Sequence, residues 1–170
     1  MKKKIIAVIA ALTLSLTALA ACGDSSSSKA DDISAASQAA DAGETAKDVV
    51  ETADKLFNEL AWKDQLNELT QDMYKSIYRI EEGSYKKAKV YVGSGGTTAE
   101  EIACFEANDE AGAADIKAKL EKRVESQKKA FENYVPEEMT KLNAAVIVVK
   151  GSSVYMCIAD DDAKAKEIIG

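Results

Sequence analysis

Two pairs of short, β-branched apolar runs, each pair closed by a glycine-bearing turn, flank one long amphipathic stretch. This order constrains the fold more than any other feature of the chain. The first pair is KAKVYVG and EIACFEA about Gly93-Ser94-Gly95-Gly96; the second is AAVIVVK and SVYMCIA about Gly151-Ser152. Runs of this composition read as strands, and a short connection with glycine folds two of them into a hairpin. Between the pairs, from about Asp109 to Tyr134, Ile116, Leu120, Val124, Gln127 and Phe131 recur at steps of three or four with mixed charge behind them, which predicts the main helix. Pro136 ends that region, because it lacks an N–H and clashes with the preceding turn.

Upstream, Val49, Ala53, Leu56, Phe57 and Leu60 form a second apolar stripe and predict a helix from Thr45 to about Ala61. A shorter helix follows Thr70, a residue able to cap it, with Met73, Ile77 and Ile80 on one side. The segment between, AWKDQLNEL, follows neither period, and Trp62 and Leu66 are placed at the core edge. A last helix opens at Asp160-Asp161-Asp162, with Asp160 expected as its cap. The expected fold class is therefore α+β, with two β-hairpins forming a four-stranded antiparallel sheet packed with helices in two or three layers. AVIVV is apolar at consecutive positions and is expected at the centre of that sheet with cover on both faces.

The first residues have a different character. Lys2, Lys3 and Lys4 precede an apolar run, Ile5 to Ala21, and this order is that of a bacterial export signal. Leu19-Ala20-Ala21-Cys22 resembles the lipobox of bacterial lipoproteins, which implies cleavage between Ala21 and Cys22 and a diacylglyceryl group on Cys22. An uncleaved membrane anchor is the alternative, but Thr13, Ser15 and Thr17 interrupt the run, and it reaches only the lower edge of the roughly 17 to 25 residues a span needs. Two acyl chains hold a protein to a membrane stably where one does not. From Gly23 to Glu44 the chain is rich in serine, alanine and acid with one large apolar residue, Ile33, too little to offset ordering entropy. The expected division is 1–21 signal peptide, 22–44 lipidated cysteine and tether, and 45–170 a single α+β domain. The expected location is the cell membrane, lipid-anchored and facing the extracytoplasmic side.

Loss of a signal carrying three lysines and no acid takes the formal charge from −7 to −10. A nucleic-acid surface needs clustered basic residues to release counterions, and Lys86-Lys87 with Lys89 and Lys128-Lys129 are too short to oppose that charge, so nucleic acid is excluded as a partner.

The chain has no histidine, which excludes Ser-His-Asp and Cys-His catalysis and imidazole-bound zinc. Acid and base work would fall to carboxylates, lysines or tyrosines. Cys104 and Cys157 lie among apolar neighbours, where a cysteine acts as a small buried hydrophobe. A disulfide between them is the alternative outside the cytoplasm, and a catalytic thiol lacks a nearby group to lower its pKa. The GSGGTT loop lacks the lysine and following helix of a phosphate loop and reads as a hairpin connection. Asp160, Asp161 and Asp162 lack EF-hand spacing, so no metal site and no cofactor is expected. Tyr74, Tyr78, Tyr85 and Tyr91 crowd the region before the first hairpin; Tyr74, Tyr78 and Tyr91 are the candidate ligand or partner surface, against ordinary packing at the core edge.

Residues from about Ala46 to Gly170 resemble a family of small uncharacterised lipoproteins of Gram-positive bacteria, whose domain has no assigned function. The resemblance lies in YVGSGGTTAEEIACFEA, LEKRVESQKKAFENYVPEE and AAVIVVKGSSVYMCIADD, in that order. It implies a fold and a location and carries over no catalytic residue. The functional expectation is a surface-anchored lipoprotein with a non-catalytic acidic domain that binds a protein or envelope partner. The alternatives are a small-ligand-binding accessory lipoprotein and a histidine-free envelope enzyme.

Overall fold

A computed structural model describes residues 46–170. The expected signal peptide, the expected cleavage site at Ala21 and Cys22, and the expected tether to residue 44 lie outside the described residues. The chain enters through α1 (Val49–Glu59), capped by Asp48, whose Oδ1 accepts from the Val50 and Glu51 N–H groups at 2.9 and 3.1 Å. Val49, Thr52, Ala53 and Leu56 are its buried stripe, and Leu60 ends the helix by turning to extended backbone. Phe57, in the expected stripe, is only half-buried and stacks on Tyr91 at 4.6 Å between ring centroids.

A short strand β1 (Leu66–Glu68) and helix α2 (Gln71–Tyr78) follow. Thr70 takes the cap position without giving a side-chain hydrogen bond. The face α2 buries is Tyr74 and Tyr78, whereas Met73 is 40% exposed. The expected stripe through Ile80 fails because Arg79 turns left-handed at φ 62°, ending the helix after two turns and sending Ile80 into the core on its own.

Strands β2 (Tyr85–Gly93) and β3 (Glu101–Ala107) form the first hairpin. The long helix α3 (Glu110–Phe131) is capped by Asp109, whose Oδ1 accepts from Gly112 N–H at 2.7 Å. A 3-10 turn (Pro136–Glu138) leads into α4 (Met139–Asn143), then β4 (Val146–Lys150), β5 (Ser153–Ile158) and α5 (Asp162–Ile169). Asp161, not Asp160, caps α5, its Oδ1 accepting from Lys164 N–H at 2.9 Å.

The strands form one antiparallel sheet in the order β1-β2-β3-β5-β4. It has five strands rather than four: β1 continues the ladder beyond the first hairpin, Leu66 opposite Gly93. Alternation along each strand builds two cores. Val90, Ala103, Phe105, Val154 and Met156 face α2, α3 and α4, while Tyr91, Ile102, Cys104, Tyr155 and Cys157 face α1 and α5. The fold is α+β, with the sheet between two helical layers.

The central strand is β3, not the AVIVV strand. β4 is apolar on consecutive residues because helices cover it on both faces: Ile147 and Val149 pack toward the α3 side, Val146 and Val148 toward the α5 side. Cover on both faces does not require neighbours on both edges, and β4 is an edge. The two-residue turn at Gly151-Ser152 makes Lys150 and Ser153 the closing pair, so Lys150, Val148 and Val146 turn their backbone groups to β5. The Ala107 N–H bond to Ser152 O at 2.8 Å fixes the same alternation on the far side of β5. The N–H and C=O groups of Ile147 and Val149 therefore point outward from the sheet.

Candidate functional site

Among the described residues, five of the eight buried polar side chains, Glu100, Glu101, Gln127, Glu138 and Lys141, gather at one end of the sheet, where β3 begins and β5 ends. Glu100 and Glu101, adjacent in sequence, both lie fully inside. They serve two separate networks.

Glu100 reaches α4 and the loop after α1. Its two carboxylate oxygens accept from Lys63 N–H at 3.0 Å each, and Oε2 also accepts from Asp64 N–H at 3.0 Å. Lys141 Nζ donates to Glu100 Oε1 at 2.9 Å and lies 3.1 Å from Glu138 Oε2, which also accepts from Ala99 N–H at 2.9 Å. Burial disfavours the charged Lys141 ammonium, but its bonds to Glu100 and Glu138 outweigh this and hold its pKa above the ordinary lysine value. Asp160, with Lys63 at 3.0 Å, closes the group from the solvent side. The ammonium fills the place where converging carboxylates could hold a cation. No group of three or more His, Cys, Asp or Glu side chains placed to hold a metal ion occurs among the described residues.

Glu101 faces α2 and α3. Arg123 binds it through Nη2 at 2.8 Å and Nε at 3.2 Å, Gln127 Nε2 donates at 2.9 Å, and the Tyr78 hydroxyl donates to Oε1 at 2.7 Å. Burial, and then the Glu101 charge, push the Tyr78 phenol well above its usual pKa. It is a fixed donor at neutral pH. With every carboxylate lone pair engaged, this network ties α2 and α3 to the head of β3.

The glycine-rich loop lies over this end. Asp64 Oδ2 accepts from Gly95 N–H at 2.6 Å, so closely that a Cβ on Gly95 would meet that oxygen at 3.0 Å. Gly96 has φ +67° and needs glycine's freedom. The loop joins two antiparallel strands, as a hairpin connection does.

The three tyrosines singled out in the sequence do not share a surface. Tyr74 and Tyr78 are buried against Phe105 under α3, with centroids 5.4 and 6.2 Å away. Tyr91 lies on the opposite face of the sheet, its hydroxyl donating to Asp54 Oδ1 at 2.6 Å. Burial raises the pKa of Tyr74 and of Tyr91 to about 12.

Cys104 and Cys157 are free and buried on the α1 side of neighbouring strands. Cys104 stands opposite Tyr155 and Cys157 opposite Ile102, a diagonal relation. Diagonal neighbours lie about 7 to 8 Å apart, beyond the reach of an unstrained disulfide. Burial pushes both thiols up, Cys157 to about 12. In the acidic run, Asp160 pairs with Lys63, Asp161 caps α5 and Asp162 pairs with Lys166 at 2.7 Å.

Sequence reasoning missed Glu100, Glu101, Arg123, Glu138 and Lys141. The available signal was two adjacent acids at the head of an apolar strand, with partners 22 to 41 residues away. The two sheet edges also differ. β1 is three residues long and carries the exposed Asn67 and Glu68. β4 offers half-buried Ile147, Val148 and Val149 and the outward-facing N–H and C=O groups of Ile147 and Val149. No helix among the described residues is long and apolar enough to cross a membrane.

No curated protein and no solved structure matches this chain. A family model matches residues 58–159, a span that runs from the end of α1 through β5 and holds all five strands and both buried networks except Asp160. On that match, over more than half its length, the chain belongs to the family described as Domain of unknown function (DUF4358).

Proposed function

We propose that this protein is a surface lipoprotein, held at the extracytoplasmic side of the cell membrane by a diacylglyceryl group on Cys22, and that its acidic domain binds a protein or envelope partner without catalysis. The observation that carries the binding role is the contrast between the two edges of the sheet. An open, apolar edge templates the addition of another strand, and folds that avoid such pairing shorten the edge, charge it or bend it. β1 has the first two of these devices; β4 has an unbroken Val-Ile-Val-Val run whose one charge, Lys150, is buried and turned to the Gly170 carbonyl. The buried carboxylates support a scaffold role, since each is engaged by a cation or by backbone N–H groups.

The anchor and the edge are tested separately. Cys22→Ser is expected to abolish fatty-acid labelling; labelling equal to wild type refutes the anchor. A photoreactive residue at position 148 is expected to give adducts in intact cells that one at Asn67 does not, and that Val149→Pro in the same chain removes. Equal adducts from both edges, or none from β4, refute the binding edge.

A further inference from the structure

Resting on the reading of β4 as the docking edge, we propose that its occupant is a second copy of this chain, whose β4 pairs antiparallel with the first about a two-fold axis at Val148. The backbone geometry selects this register. Ile147 and Val149 are the residues whose N–H and C=O groups face outward, so an added strand must bond to both. An antiparallel copy centred on Val148 sets Ile147 against Val149 of the partner subunit and Val149 against the partner's Ile147. Four hydrogen bonds form, and each subunit supplies the same groups it receives, the condition for a closed two-fold contact.

The side chains fit the same register. Ile147 meets the partner's Val149 on one face, and Val148 meets the partner's Val148 on the other. Lys150 stands opposite the partner's Val146 and not opposite another lysine, so no like charges face each other across the strands. From Asn143 to Ala159 the chain carries no acid. Two copies of an acidic protein can therefore meet here with their negative charges kept off the seam.

The helical layers also permit it. An axis normal to the sheet brings like faces together, α3 beside α3 and α5 beside α5. α5 packs on β4 and β5. Two strands' breadth, at roughly 4.8 Å each, then separates the two α5 helices, about 10 Å, which is a normal helix packing distance. α3 lies across β3, β5 and β4. Centred on β5, it stands about three strand spacings from its copy, roughly 14 Å, without collision. The result is one ten-stranded sheet with its remaining edges at the two short, charged β1 strands.

The test uses the full chain with its anchor, in detergent. Val148→Cys is expected to form a disulfide-linked dimer on mild oxidation, because paired residues at a non-hydrogen-bonded position bring their Cα atoms to about 4.5 Å. Val149→Cys alone is expected to remain unlinked, whereas a mixture of Ile147→Cys and Val149→Cys chains links. Sedimentation is expected to give twice the chain mass for wild type and one chain mass for Val149→Pro, which should stay folded since that N–H makes no bond within the sheet, with a melting midpoint that no longer rises with protein concentration as that of wild type does. Added salt is expected to strengthen the dimer by screening like charges; an oppositely charged partner would be released instead. A single-chain mass together with no Val148→Cys linkage overturns the inference. If photo-adducts to another protein at position 148 persist in that case, the docking edge stands with a different occupant. If they are absent too, both readings fall.

Discussion

Lys141 and Glu100 form an ion pair from which water is shut out: their charged atoms lie 2.9 Å apart, and their side chains are 2% and 0% exposed. Removing one partner of such a pair leaves an uncompensated buried charge, which costs about 3 to 5 kcal/mol. Lys141→Met should lose stability on that scale in denaturant unfolding at neutral pH, because Glu100 and Glu138 are left facing each other. A Glu100→Gln, Lys141→Met double variant should recover part of the loss. An unfolding midpoint unchanged by Lys141→Met would refute the structural role of the pair.

The same lysine sets an alkaline limit. Its pKa is raised in the folded protein over the ordinary 10.5, so its contribution is fully present below that value and is lost as pH rises through the folded pKa. Buried tyrosines titrate in the same direction, so the informative quantity is a difference. Wild-type stability should fall more steeply above pH 10.5 than that of Lys141→Met. Parallel curves would show that the ammonium is not what the network holds.

Leu56 and Phe57 are adjacent on α1 and differ in burial, Leu56 being fully enclosed and Phe57 half-exposed beside Tyr91. Leu56→Ala should cost about 2 to 5 kcal/mol. Phe57→Ala should cost less, below about 3 kcal/mol, because part of its ring already meets water. The reverse order in thermal or denaturant unfolding would mean that α1 is rotated on the sheet.

The two thiols are enclosed and held in their neutral form, so both should resist alkylation at pH 8 and react promptly in denaturant. Mass spectrometry of unreduced protein is expected to show Cys104 and Cys157 unlinked. A Cys104 to Cys157 peptide would require β3 and β5 to shift in register.

Asp48 caps α1 and pairs with Lys87 at 2.7 Å. Its lowered pKa follows first from the Lys87 bond and then from backbone N–H donors. The stability it gives is present above the unfolded value of about 3.8 and is lost as pH falls through the folded one. Asp48→Ala should cost about 1 kcal/mol at neutral pH, as loss of a helix cap does. It should also flatten the acid limb of the stability curve. An acid limb as steep as wild type's would assign that limb to other carboxylates.

What the sequence made legible were the features set by local period and local turns. β2, β3, β4 and β5 announce themselves by β-branched runs and glycine connections, and α3 by four successive helical steps from Ile116 to Phe131. β1 was not legible, since Leu66 is its one apolar residue and its strand geometry comes from pairing with β2. The place of β4 was misread because consecutive apolar residues report cover on the faces and say nothing about the edge. On α2, Met73 and Tyr74 both offered an apolar stripe; the choice fell to tertiary contact with Phe105. The networks at Glu100 and Glu101 depend on partners brought in from α3 and α4, which no window along the chain can contain.

The strand order has a kinetic consequence. β2 with β3, and β4 with β5, are hairpins joined by local turns and close quickly; β3 meets β5 only after α3 and α4 have crossed between them. Closure of that long connection must precede any gain from the central seam, and such non-local pairing slows folding. The union of the two hairpin halves is therefore the expected slow step, and substitutions at Ala103 and Met156, which stand opposite each other across the seam, should lower the folding rate more than changes in the Gly151-Ser152 turn.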